Sequence, residues 1–112
     1  MGKEELPVCP VATTVGLIGN IWKLLIMRNL LTGTQRFNEL SKTIPGISQK
    51  VLTENLRSME ADGIVIRTAY PEVPPRVEYR LSELGESMRP IIFAMESWGV
   101  TYLEEMKKND FR

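Results

Sequence analysis

A chain of 112 residues, 43% hydrophobic and 25% charged, has the size and usage of one globular domain, which argues against disorder. It contains no histidine and one cysteine, Cys9, so Cys/His zinc sites, a Ser-His pair and an intrachain disulfide are excluded, and a cytoplasmic location is expected. The net charge is zero, yet nine basic residues face six acidic ones between Lys23 and Arg80, and the two ends carry the compensating acid. No apolar run approaches the roughly 20 residues of a membrane span. The polar, mixed-charge stretch Met1 to Leu6 is expected to be neither a signal nor a transit peptide.

Proline and glycine divide the chain into segments. Pro10 suits a first helical position, and a short helix is expected from there to about Gly19. Ile21 to Leu31 is apolar nearly all round and stops at Thr32-Gly33, which predicts the central buried helix. Gln35 to Thr43, with Phe37, Leu40 and Ile44 at helical spacing, predicts a short amphipathic helix ended by Pro45-Gly46. Ser48 is then a good N-cap. Ile47 and Leu52 occupy the hydrophobic-staple positions around it. In the helix that follows, Val51, Leu52, Leu56 and Met59 form an inner face. Gln49, Lys50, Thr53, Glu54 and Arg57 form an outer one, and Gly63 ends the helix.

Two β-rich runs follow, Ile64 to Tyr70 and Arg76 to Leu81. In the second, Val77, Tyr79 and Leu81 alternate with Arg76, Glu78 and Arg80, as in a half-buried strand. Pro71-Glu72-Val73-Pro74-Pro75 between them cannot donate to a sheet and predicts a stiff, projecting hairpin tip. A final helix is expected from Ser82, with a bend or break between Glu86 and Pro90. Its stripe of Leu84, Met88, Ile91, Met95, Trp98, Tyr102 and Met106 outruns the core of one small domain, so a partner is expected to cover part of it. The order of elements predicts a mainly α fold with a small β-hairpin, a winged helix-turn-helix. Its expected parts are an N-terminal arm (1–9), a DNA-binding core (10–82) and a long C-terminal dimerisation helix with a tail (83–112).

Several strings resemble the HxlR family of bacterial winged helix-turn-helix regulators, which are MarR-like. They are Cys9-Pro10, Trp22-Lys23-Leu24-Leu25-Ile26, Arg36-Phe37-Asn38-Glu39-Leu40 and Ile44-Pro45-Gly46-Ile47-Ser48-Gln49-Lys50-Val51-Leu52. Leu56-Arg57, Glu60-Ala61-Asp62-Gly63, the wing string Tyr70-Pro71-Glu72-Val73-Pro74-Pro75-Arg76-Val77-Glu78-Tyr79 and Trp98-Gly99 complete the resemblance, which runs from Cys9 to about Tyr102. It implies a homodimer on double-stranded DNA, joined through its terminal helices. Where the family has Gly-Gly-Lys-Trp or similar, this chain has Gly19-Asn20-Ile21-Trp22, so a phosphate contact by that lysine has no counterpart here.

Two readings stand for each candidate residue. Gln49, Lys50, Thr53 and Arg57 form either a solvated helix face or a groove-reading one, in which Gln pairs with adenine, Lys with guanine and Thr meets a thymine methyl. Arg36 and Ser48 join them as DNA-binding candidates. Arg76 is either an ordinary strand-end charge or a contact to the minor groove or its phosphates. Met95, Trp98, Tyr102 and Met106 are assigned to the dimer interface, and Trp22 to packing. Cys9 is either a small buried hydrophobe or a thiol at a helix N-terminus, where the dipole favours the thiolate. Some members of the resembling family sense oxidants or electrophiles through an N-terminal cysteine. A bridge between two copies, a mixed disulfide or alkylation would each be available to it. The leading function is therefore a sequence-specific regulator on a palindromic operator, with redox sensing through Cys9 as an added candidate role. The competing one is a winged-helix module that binds protein. No enzyme, cofactor, metal or membrane role is expected, and any small-molecule effector is left open.

Overall fold

The computed structural model describes residues 9–109, so Cys9 alone represents the expected N-terminal arm, and residues 110–112 of the expected tail lie outside the described residues. Helix α1 (Pro10–Ile18) begins with Pro10 in its first turn and Cys9 as N-cap. After an 83° bend, α2 (Ile21–Leu30) starts at Asn20, whose side-chain oxygen accepts from the Lys23 amide at 2.8 Å. The next segment departs from expectation at its start. Gln35 is not helical: Gln35–Arg36 is a short strand, β1, and α3 runs from Phe37 to Thr43. The Glu39 carboxylate accepts from the Arg36 amide at 2.7 Å and fixes the helix start one residue later.

Helix α4 (Gln49–Ala61) is capped as expected, the Ser48 hydroxyl accepting from the Val51 amide at 3.1 Å. It ends before Gly63, whose φ of +78° is a left-handed value that favours glycine. Strands β2 (Val65–Tyr70) and β3 (Arg76–Leu81) pair antiparallel from Val65↔Leu81 to Tyr70↔Arg76. β1 adds to the other edge of β3 through Gln35↔Tyr79 and Arg36↔Glu78. The expected two-stranded hairpin is thus a three-stranded sheet of order β1-β3-β2. The Val73–Pro74 bond in its tip is cis.

The expected break in the last helix falls at Ser87–Met88, separating α5 (Glu83–Glu86) from α6 (Arg89–Lys108). The Ser82 hydroxyl accepts from the Gly85 amide at 3.0 Å and donates to the Gly63 carbonyl, tying α5 to the turn after α4. Gly85 lies directly on the Ile64 carbonyl and the Leu81 side chain, where a Cβ has no room.

One core joins these parts. Ile26, Met27 and Leu30 of α2, Leu40 of α3, and Leu52, Leu56 and Met59 of α4 are all 2% exposed or less, with Ile64, Val65, Tyr79 and Leu81 closing the sheet side. The stripe of the last segment does not enter the core as a whole, and Leu84, before the break, is exposed. Met88 enters this core together with Ile92, while Ile91, Met95, Trp98 and Tyr102 stay exposed and Met106 is half-buried. Phe93, Val100 and Leu103 are exposed as well, so α6, about 30 Å long at 1.5 Å per residue, leaves most of its apolar surface uncovered.

The Gly85 contact yields a stability test. Gly85→Ala should destabilise by about 1–3 kcal/mol, because backbone must shift to admit the methyl group. Thermal unfolding should show a melting point several degrees lower. An unchanged melting point would mean that the α5 junction yields freely.

Candidate nucleic-acid interface

The geometry of the site begins at the turn before α4. Pro45 stops α3, Gly46 takes φ +79°, and the chain reverses into Ile47 and Ser48. Because Leu52, Leu56 and Met59 point into the core, the intervening positions Gln49, Lys50, Glu54 and Arg57 face outward and are exposed. Thr53 is half-buried at the edge of that face, and Ser48 is exposed at its N-terminal end. Lys50 and Glu54 stand 4.0 Å apart with both side chains largely in solvent, a pair too weak to hold the lysine in place.

Polar contacts that the sequence pattern does not reveal hold α4 against α2. Asn20 Nδ2 donates to Asn55 Oδ1 at 3.2 Å, and Asn55 Nδ2 donates in turn to the Val51 carbonyl at 2.8 Å. Lys23 Nζ donates to the Ser58 hydroxyl at 2.8 Å. Asn20, one of the positions where the chain departs from the family pattern, therefore caps α2 and braces α4 at once. Ile21, the other, is exposed.

The sheet brings further charge to this side. Arg67 of β2 is exposed and lines a 360 Å³ cleft with Thr53, Arg57, Glu60 and Tyr79. Sequence reasoning passed over Arg67, although it is the one charged residue in the apolar run from Ile64 to Tyr70. Arg36 is exposed at the start of α3. It shares a shallow 350 Å³ cavity with Asn38, Pro74, Pro75 and Arg76, so α3 and the wing meet there. Arg76 is not a free strand-end charge. Its guanidinium donates to Glu72 at 2.8 Å and to Glu78 at 3.0 Å and lies 4.0 Å from the centre of the Tyr70 ring.

Cys9 is exposed at the N-cap of α1, and its thiol makes no capping hydrogen bond. The buried-hydrophobe reading therefore fails for this chain, because α1 buries only its last residue, Ile18, and its first turns face solvent. Trp98 is 67% exposed and stacks on Tyr102 with ring centres 5.4 Å apart. With Pro90, Ile91, Ala94 and Met95, Trp98 lines an open apolar groove of 720 Å³ on α6. Trp22 is half-buried and packs on the core. Among the described residues, no cluster of His, Cys, Asp or Glu is placed to hold a metal, and no single helix is long and apolar enough to cross a membrane.

Comparison with known proteins agrees with this geometry. Residues 17–107 match the family model described as HxlR-like helix-turn-helix. YdeP, an HTH-type transcriptional regulator of Bacillus subtilis, is 44% identical over 105 residues, which cover 94% of this chain and 82% of YdeP. The redox regulator HypR in its oxidised form is similar at a TM-score of 0.79 and 45% identity, over 83% of this chain and 96% of HypR. Reduced YodB from B. subtilis is similar at a TM-score of 0.72 and 39% identity, over 82% of this chain and 91% of YodB. By its sequence and by the arrangement of its helices, turn and wing, the chain belongs to the HxlR-like helix-turn-helix family of transcriptional regulators.

Proposed function

We propose that this regulator binds a palindromic operator in double-stranded DNA as a cytoplasmic homodimer, with α4 of each copy in the major groove. The observation that carries this reading is the exposed row of Gln49, Lys50 and Arg57 on a helix that follows a tight turn and stands beside a wing. Gln49 and Lys50, in the first turn, are suited to base edges, since N-terminal residues of a recognition helix reach the groove floor. Arg57, two turns on and next to Arg67 in the cleft under the wing, is suited to phosphate. Ser48, Thr53 and Arg36 border the same surface as further contacts.

Dimerisation rests on α6. The groove around Trp98 and Met95, the exposed Tyr102 and half-buried Met106, and the exposed Val11 and Val15 of α1 together form more apolar surface than a solitary domain ordinarily leaves in water. To read both half-sites of a palindrome, such a dimer must hold its two α4 helices about 34–36 Å apart, one turn of DNA, or a multiple of that. Cys9 is the proposed sensing thiol. It is exposed, it begins α1, and the similar structures include a protein named a redox regulator.

Three experiments test this reading. In competition binding against scrambled DNA, Gln49→Ala and Lys50→Ala should flatten the preference among operator variants. Arg57→Ala should weaken all DNA alike and lower the salt slope by about one ion. Binding to no DNA at all would favour the protein-binding module. Trp98→Ala should weaken the dimer by about 3 kcal/mol or more, and sedimentation at micromolar concentration should then show monomer. A dimer that persists there places the interface elsewhere. Treatment with an electrophile or diamide should lower operator affinity of the wild type and leave Cys9→Ser unaffected. Unchanged binding by protein that mass spectrometry shows to be fully modified would make Cys9 a bystander.

A further inference from the structure

The wing carries an arrangement that its sequence does not explain. Residues 70–78 contain Glu72, Arg76 and Glu78, one more acid than base, on the loop expected to approach polyanionic DNA. Arg76 stands at the end of the hairpin, directly across from Tyr70. One terminal nitrogen reaches Glu72 in the loop at 2.8 Å, the other reaches Glu78 on its own strand at 3.0 Å, and the guanidinium covers the Tyr70 ring at 4.0 Å. Its Nε is buried without a hydrogen-bond partner, and the side chain as a whole is 27% exposed. Beyond this clamp the loop presents Val73, which is fully exposed, with the prolines on either side.

A guanidinium held by two carboxylates and a ring face has its charge compensated inside the protein, with each terminal nitrogen already donating to a carboxylate. A phosphate approaching it would be a third anion beside a guanidinium already flanked by Glu72 and Glu78. We infer that Arg76 is the positioning residue of the wing: it neutralises Glu72 and Glu78 and braces the Pro71–Pro75 loop against Tyr70, and it does not itself pair with DNA. This role rests on the DNA-binding reading proposed above.

Lysine separates the two roles. It keeps the charge and can serve a phosphate as a point charge, but it cannot bridge two carboxylates in one plane while stacking on a ring. Arg76→Lys and Arg76→Ala would be compared with wild type in two measurements, after thermal melting confirms that each variant is folded. Amide hydrogen exchange over residues 70–77, without DNA, should accelerate on the order of tenfold in both variants. Operator affinity should fall on the order of tenfold in both. Arg76→Lys that binds the operator as wild type does would overturn the inference, since charge alone would then suffice. Unchanged exchange in both variants would also overturn it. Should wild type itself bind no operator, the DNA reading fails, and the exchange rates alone decide whether Arg76 braces the loop.

Discussion

The packing of α2 against α4 is the contact on which the candidate interface depends. Ile26, Met27 and Leu30 on one helix and Leu52, Leu56 and Met59 on the other are buried almost completely, each favouring the folded state by about 1.5–3 kcal/mol relative to exposure. That burial fixes the roll of α4. A helix that turns 3.6 residues per revolution and commits positions 52, 56 and 59 inward must send 49, 50, 54 and 57 outward. The apolar face thus sets the roll, and directional polar contacts from Asn20 to Asn55 and from Lys23 to Ser58 set how α4 lies along its neighbour.

The same core limits what else the chain can bury. It closes with Met88 and Ile92, just where the helix breaks and Pro90 enters the first turn of α6. From Phe93 onward most of the large apolar side chains of α6 (Phe93, Met95, Trp98, Val100, Tyr102 and Leu103) are exposed. Arg89 anchors the start of that helix by donating to the Leu31 carbonyl at the end of α2 at 3.1 Å and to Glu86 at 2.8 Å. The direction of α6 is therefore tied to the helix that supports α4.

Charge counted along the sequence overstates the charge that a ligand would meet. Arg76 and Arg89 are both engaged by carboxylates and carbonyls of their own chain. Lys50, Arg57 and Arg67, by contrast, are exposed around α4 and β2. The face is nonetheless only slightly basic, because the exposed Glu54 and Glu60 stand among these three cations.

Much of the fold was legible in the residue order because its signals are local. Pro10, Ser48 with Ile47 and Leu52, Gly63 and Ser82 mark their boundaries through capping and backbone geometry that act over a few residues. The alternation at Val77, Tyr79 and Leu81 marks its strand in the same way. The sequence by itself determined the order of helices and hairpin, the outward row on α4, the break before α6 and the surplus of apolar surface beyond it. The tertiary structure alone decided that Gln35–Arg36 joins the sheet, that Asn20 reaches Asn55, that Arg67 borders the cleft with Arg57, that Cys9 is exposed and that Arg76 is clamped within the wing. Each of these depends on partners brought together by the fold or on the space left around them, and no period of 2 or 3.6 encodes which distant side chain will face a given donor.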